Sequence, residues 1–300
     1  MKSPVLSVLV PNHNNASLLG ECLDSILEQS FRELEIVVYD DASSDDSVAI
    51  VEEYMRKEPQ RVRLIRGTEK GGPAHARNQA ALASRGRYLT TLDADDVFAD
   101  PGKLEREMSL VNRIRQEEGV DAAAFSDVLE VSPNGDTKLW GDHMKINEGW
   151  IRDHLLIRSG FVPRDFVFPR KVFSECGGFD PRLRTHEDWD LKIRLAGILP
   201  FYFTGAPGTA YHRRETGLSQ INRRRRLCNL WRIYRRYRKL LKPEMRRQAD
   251  RAFGKLMRDR EKDNPSLEAA LRRFACGRID AILAPRRQAN RIKQWTSNQS

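Results

Sequence analysis

Thr91-Leu92-Asp93-Ala94-Asp95-Asp96 closes an apolar run that begins at Arg87-Tyr88-Leu89 and places three carboxylates within four residues. Like charges so close repel, and an ionised carboxylate that loses water costs several kcal/mol unless positive charge meets it. A second acidic pair, Asp40-Asp41, ends another apolar run at 35–39. Around these points the chain alternates strand and helix. A strand at 5–10 precedes a helix over 16–30 whose Leu19, Cys22, Leu23, Ile26 and Leu27 share one face. A strand at 35–41, a helix at 47–57, a strand at 62–65, a glycine loop at 66–78, a helix at 79–84 and the strand at 87–92 follow. Nearly all-apolar strands separated by helices predict an α/β fold with a mostly parallel sheet covered on both faces. Ligands of such sheets bind beyond the carboxyl ends of the strands, so Asn12, Asp40, Asp41 and residues 93–96 are expected at one edge.

Past residue 100 the pattern loosens. A helix near 101–117, a strand at 121–131 turning at 132–136, a helix near 147–159 and a strand at 201–205 are expected, with antiparallel additions to the sheet. Hard oxygen ligands at the Asp93–Asp96 spacing suit Mg²⁺ or Mn²⁺, which bind through one or two carboxylates and the oxygens of a phosphorylated substrate. The glycine loop, with Gly71-Gly72, Pro73 at a first helical turn and Arg77, has the freedom and charge that a nucleotide's phosphates require. It lacks both the P-loop ending and the G-x-G-x-x-G of a dinucleotide turn. A third acidic group stands in 185–196, Thr-His-Glu-Asp-Trp-Asp-Leu-Lys-Ile-Arg-Leu-Ala. Thr185 and Asp188 have capping-box spacing, and Trp189, Ile193 and Ala196 would face the core. Capping leaves Glu187 and Asp190 in the same turn unexplained.

Together these stretches resemble glycosyltransferase family 2, the inverting sugar-nucleotide transferases of the GT-A fold, from about residue 5 to residue 219. The resemblance implies a Rossmann-like catalytic domain over 1–219 and a nucleoside-diphosphate sugar, expected to be a UDP-sugar, as donor. It implies donor contacts at Pro11, Asn12, Asp40, Asp41, Arg77, Asp93 and Ala94, with Asp41 at the base, and a Mn²⁺ or Mg²⁺ held by Asp95 and Asp96. Asp188 matches the general base, with Glu187 and Trp189 on the acceptor side. Similar enzymes often carry an Arg followed by a His near 211–214; here His212 precedes Arg213 and Arg214, and these three are the candidates for meeting the diphosphate. The acceptor implied is a glycan or lipid-linked hydroxyl in cell-surface polysaccharide, lipopolysaccharide or glycolipid synthesis.

The net charge of +10 is unevenly spread. Residues 221–300 hold 24 Lys/Arg against 7 Asp/Glu, or +17, so residues 1–220 hold 28 against 35, or −7. A basic helical extension over 220–300 is therefore expected beyond the catalytic domain. Leu227, Leu230, Trp231, Tyr234, Tyr237, Leu240 and Leu241 recur at helical spacing among arginines, making a basic amphipathic helix. Such a helix either packs on the catalytic domain or, over 222–260, meets an anionic membrane surface. Nucleic-acid binding lacks any zinc-finger, RRM or KH pattern to support it. The four cysteines, Cys22, Cys176, Cys228 and Cys276, show neither disulfide-framework nor zinc-site spacing, which fits a reducing cytoplasm. No apolar run is long enough for a membrane span; the cysteines favour a cytoplasmic enzyme, peripheral on the inner face of the cell membrane where the basic helix takes its membrane-surface reading. Two rivals remain at this level: a metal-dependent nucleotidyltransferase, which has no use for the Glu187-Asp188 pair, and a non-catalytic nucleotide-binding protein of the same fold.

Overall fold

The computed structural model describes residues 3–132, 134–157, 160–212, 223–247 and 249–251. Its centre is a five-stranded sheet built from β1 (Leu6–Asn12), β2 (Leu34–Asp40), β3 (Val62–Arg66), β4 (Tyr88–Thr91) and β8 (Phe168–Pro169). Their order is β3-β2-β1-β4-β8, with the first four parallel and β8 antiparallel to β4. Helices α1 (Ala16–Leu27), α2 (Ser47–Lys57) and α3 (Pro73–Ala83) make the crossovers. Alternation along β1 sends Leu6, Val8 and Val10 into one core with Leu19, Leu23 and Ile26 of α1. Leu9 faces the opposite core with Ala74, Ala76 and Ala80 of α3. Both faces of the sheet are thus covered, as near-continuous apolar strands require.

Helix α3 begins six residues earlier than its expected start at residue 79. Gly72, at φ +90°, turns the chain where a side chain would be strained, and Pro73 with its preset φ opens the helix. The helix expected near 147–159 is the shorter α5 (Arg152–Ile157), because Gly149 instead pairs with Phe201 through two backbone hydrogen bonds of 2.7 and 2.9 Å. The strand expected at 201–205 runs on as β9 (Phe201–His212). It joins β5 (Val97–Phe98), β6 (Ala123–Val131) and β7 (Thr137–Leu139) in a second sheet of order β5-β9-β6-β7.

Behind this second sheet, α4 (Lys103–Glu118) carries a buried charged network. Lys103 Nζ donates to Glu107 Oε1 and to the Asp165 carbonyl, both at 2.7 Å. Ser126 Oγ donates to Glu107 at 2.8 Å, and Thr209 Oγ1 donates to the Asp165 carboxylate. Burial outweighs the attraction of Lys103 and pushes the Glu107 carboxyl up from 4.5 to about 7, with Asp165 adding repulsion. A carboxyl whose folded pKa is raised favours the native state most below its unfolded pKa. That contribution is lost as pH rises from about 4.5 to about 7. The stability decline across this window is expected to reach a few kcal/mol, and Glu107→Gln should flatten it in urea titrations at stepped pH. An unchanged slope in the variant would refute the assignment.

Helices α6 (Arg170–Glu175), α7 (Glu187–Leu195) and α8 (Arg223–Tyr237) follow. Leu230, Ile233, Tyr234 and Tyr237 of α8 are buried in the same core as α3, α5 and α7. Arg236 bonds Asp190 at 2.8 Å and Asp180 at 2.9 Å, and the Tyr237 hydroxyl donates to Asp190 at 2.9 Å. The helix therefore packs with its apolar face inward, and Leu241 beyond it is also buried while Leu240 is exposed. This is the packed-helix reading of the basic amphipathic segment. Residues 252–300, most of the basic extension, lie outside the described residues.

Candidate active site

Asn12 and Asp40 are register partners at the ends of β1 and β2, and Asp41 follows immediately. The Asn12 amide donates to Asp40 Oδ1 at 2.8 Å and to Ser43 Oγ at 3.2 Å, while Ser43 N donates to Asp40 Oδ2 at 2.9 Å. Asp41 accepts from the backbone N–H groups of Gly71 and Gly72 at 2.8 and 2.7 Å. The second acidic pair thus ties the glycine loop to the end of β2. Pro11 lies one residue earlier on β1.

The Asp93–Asp96 segment forms a tight turn after β4, closed by Asp96 N donating to Asp93 O at 2.9 Å. Ala94 points into the core, so the three carboxylates are left at the surface of the cleft. From each of Asp93, Asp95 and Asp96 one oxygen lies within 4.8 Å of the others. Beneath the turn, the Cys22 thiol, aimed at the Asp93 carbonyl, is pushed up in pKa first by burial and then by the charges of Asp96 and Asp95. A cluster of hard oxygens with this negative field fits a divalent cation. Asp93, however, already has cationic partners: Arg77 Nη2 donates to Oδ1 at 2.5 Å, and Arg164 pairs with Oδ2.

Arg77 extends this cluster. Its other terminal nitrogen, Nη1, donates to Glu187 Oε1 at 2.7 Å, and its guanidinium lies 5.5 Å from the Phe179 ring centre. With a side chain only 2% exposed, Arg77 is a buried link between the β4 turn and the first residue of α7. The residues of α7 divide by face. Asp190 is inside, held by Arg194, Arg236 and Tyr237. Trp189 donates its indole N–H to the Leu155 carbonyl at 3.1 Å, fixing α7 to α5. Asp188 is partly exposed, at 27% of its side chain, and accepts from Lys192 Nζ at 2.8 Å.

No capping box forms at this helix: the residue before Glu187 is His186, at φ +63°, with no side-chain cap, and Thr185 Oγ1 instead accepts from Asn229. Burial opposes ionisation of Asp188, but Lys192, Arg164 and Arg77 override it and hold the carboxyl well below the usual carboxylate range. Asp188 is therefore ionised throughout the neutral range. Asn14, Ala42 and His186 are the non-glycine residues at positive φ among the described residues, and they stand in the loops after β1, after β2 and before α7.

His212 ends β9 and is exposed. The antiparallel register Val97↔Ala210 and Phe98↔Thr209, continued by two residues, brings that end of β9 toward Asp95. Arg213 and Arg214 lie outside the described residues. Arg164, Trp140 and Tyr211 line the cleft beside Asp93 and Asp96; Tyr211 adjoins the singled-out His212, while Arg164 and Trp140 stand in no motif. For Arg164 the only signal is a lone cation in an irregular segment.

Residues 7–179 match the family described as Glycosyl transferase family 2. An uncharacterized glycosyltransferase of Rickettsia felis is 26% identical over 231 residues, covering 76% of this chain and 38% of that protein. A PGL/p-HBAD biosynthesis glycosyltransferase of Mycobacterium tuberculosis is 27% identical over 194 residues, covering 65% of this chain and 70% of that one. The chain spans between about a third and two fifths of the length of the first curated relatives it matches. Among solved structures, S. aureus TarS residues 1–349 in complex with UDP superpose with a TM-score of 0.62 at 18% identity, over 84% of this chain and 71% of that one. The mannosyltransferase PcManGT of Pyrobaculum calidifontis, in complex with GDP-Man and Mn²⁺, gives a TM-score of 0.60 at 21% identity, over 98% and 85%. A match covering more than half of the chain, on a mixed α/β fold shared with these structures, establishes that the protein belongs to glycosyltransferase family 2.

Proposed function

We propose that this protein transfers a sugar from a nucleoside-diphosphate sugar to an acceptor hydroxyl, with inversion at the anomeric carbon. The observation that carries the reading is the Asp93–Arg77–Glu187 bridge, which joins the acidic turn after β4 to the helix that presents Asp188. Donor site and base are thereby parts of one bonded unit. Asn12, Asp40 and Asp41 shape the nucleotide end, with Asp41 ordering the glycine loop over it. Asp95 and Asp96 would hold Mn²⁺ or Mg²⁺, with His212 at the neighbouring strand end. When bound, such an ion supplies positive charge at the leaving diphosphate.

Asp188 is ionised and partly exposed, so it is assigned the proton of the attacking hydroxyl. The C1–O bond to the diphosphate breaks, its electron pair stays on the leaving phosphate oxygen, and the hydroxyl oxygen bonds C1 as its proton passes to Asp188. Lys192 holds that carboxylate in one orientation. The donor is read as a UDP-sugar, as in the TarS complexes, while the GDP-Man complex of PcManGT makes GDP-sugars the comparison class. The acceptor is proposed to be a cell-surface glycan or glycolipid precursor, a class suggested by the family resemblance and by the printed name of the mycobacterial relative. Among the described residues no helix is long and apolar enough to cross a membrane. Contact with an anionic membrane, if the extension makes it, would use exposed cations such as Arg232, Lys239 and Arg247, since the apolar face of α8 is covered.

A calorimetric screen of UDP- and GDP-sugars with and without Mn²⁺ tests the reading. Metal-dependent binding, with nucleoside diphosphate as the released product, is expected; release of pyrophosphate would instead identify a nucleotidyltransferase. Asp95→Ala is expected to abolish the metal-dependent part of donor binding while leaving the melting temperature near the wild-type value, because the change also relieves carboxylate repulsion. Unchanged donor affinity in excess chelator would count against metal assistance.

A further inference from the structure

We propose that Arg164 is a donor-binding residue, whose guanidinium moves from Asp93 to the diphosphate of the bound nucleotide sugar. The inference rests on the sugar-nucleotide reading above and adds a residue to it. Among the described residues, three cationic side chains bear on the region between Asp93 and Asp188: Arg77, Lys192 and Arg164. Arg77 is committed through both terminal nitrogens, and its side chain is 2% exposed. Lys192, 7% exposed, is held between Asp188 and the Val162 carbonyl, each at 2.8 Å. Neither can turn to a ligand without baring a partly buried carboxylate.

Arg164 stands differently. Its side chain is 38% exposed, lines the cleft, and meets Asp93 through Nη1. Asp93 also bonds Arg77, so it keeps a cationic partner when Arg164 turns away. The backbone that carries Arg164 is clamped on both sides. Thr91 Oγ1 donates to the Arg164 carbonyl at 3.1 Å, and the buried Lys103 donates to the following carbonyl, that of Asp165, at 2.7 Å.

A fixed backbone bearing a partly exposed, forked cation suits an arriving phosphate, which a guanidinium binds through two parallel hydrogen bonds. The charge of the same cation, paired with Asp93, also helps to keep the Asp188 carboxyl ionised. As the C1–O bond breaks, the electron pair collects on the leaving phosphate oxygen, and Arg164 is placed to meet that charge.

The test is calorimetric binding of UDP and of uridine, each with Mn²⁺, to the wild-type protein, Arg164→Ala and Arg164→Lys; GDP and guanosine replace them if the wild type selects that base. Arg164→Ala is expected to weaken diphosphate binding by about tenfold or more and nucleoside binding by less than about twofold, with Arg164→Lys between. Diphosphate affinity unchanged in Arg164→Ala would overturn the proposal. So would an equal loss for nucleoside and diphosphate at an unaltered melting temperature, which would assign Arg164 a purely structural role. If Arg164→Ala shows no thermal transition, Arg164→Lys and Arg164→Gln carry the same comparison. A wild-type protein that binds neither UDP nor GDP would remove the donor reading itself, whereas normal wild-type binding with an unaffected variant removes only the role of Arg164.

Discussion

Replacing Asp188 with asparagine is expected to lower sugar transfer by about 10²- to 10⁴-fold while donor affinity stays close to the wild-type value. Asparagine keeps the size of aspartate and can still accept a hydrogen bond from Lys192, but it cannot take the acceptor's proton. The nucleotide and metal groups assigned above lie elsewhere, on the ends of β1 and β2 and on the β4 turn. Stability should fall as well, by about 1–3 kcal/mol, because Lys192 is nearly buried and would lose its charged partner. The sign follows from the ion pair: a carboxyl depressed in the folded state stabilises it above the unfolded pKa, and this is lost as pH falls through the folded pKa. For the same reason the wild-type rate should show no acidic limb from Asp188 between about pH 5 and 8. Transfer rate, donor dissociation constant and melting temperature of the one variant decide the matter. Near-normal transfer with a lowered melting temperature would return Asp188 to a structural role.

Arg77→Met is expected to cost about 3–5 kcal/mol, the range for removing one partner of a buried charged group. Methionine fills much of the space beside Phe179 but leaves Glu187 and Asp93 without the cation that both now share. Asp93 retains Arg164, so the greater strain falls on Glu187. The double variant Arg77→Met/Glu187→Gln should therefore recover part of the loss, since an uncharged amide at 187 needs no counter-ion. Arg77→Lys should lie between wild type and Arg77→Met, because an ammonium cannot reproduce the fork that spans two carboxylates. Urea midpoints for the four proteins measure this. Equal midpoints for the single and double variants would show that the bridge contributes little, and Arg77 would then matter for donor contact alone.

Much of the architecture follows from local pattern. The apolar runs at 5–10, 35–39 and 87–92, each separated by a helix, specify parallel strands, because only burial on both faces makes such runs favourable. The rule that ligands sit beyond the carboxyl ends then assembles Asn12, Asp40, Asp41 and Asp93–Asp96 without coordinates. Helix α2 has its expected bounds at Ser47–Lys57, since its apolar positions keep helical spacing throughout. At α3 and α5 the boundaries moved, because a left-handed glycine and a bridge to Phe201 outweighed periodicity. The basic extension was the hardest to place from composition: its stripe of Leu, Trp and Tyr is equally suited to a membrane or to a protein core.

Local residue pattern thus settles the sheet, the edge on which the acidic residues gather, and the family resemblance carried by their order. Tertiary structure alone decided the partners. Arg77 and Glu187 are 110 residues apart, yet they form one buried pair. Arg164 reaches Asp93 from a segment with no regular pattern, and Asp180 and Asp190 receive Arg236 from the basic helix. Periodicity records which face of an element avoids water, a property of neighbours along the chain. Which cation meets which carboxylate depends on how distant elements cross, and the low polarity of the interior makes that meeting obligatory once the fold has brought them together.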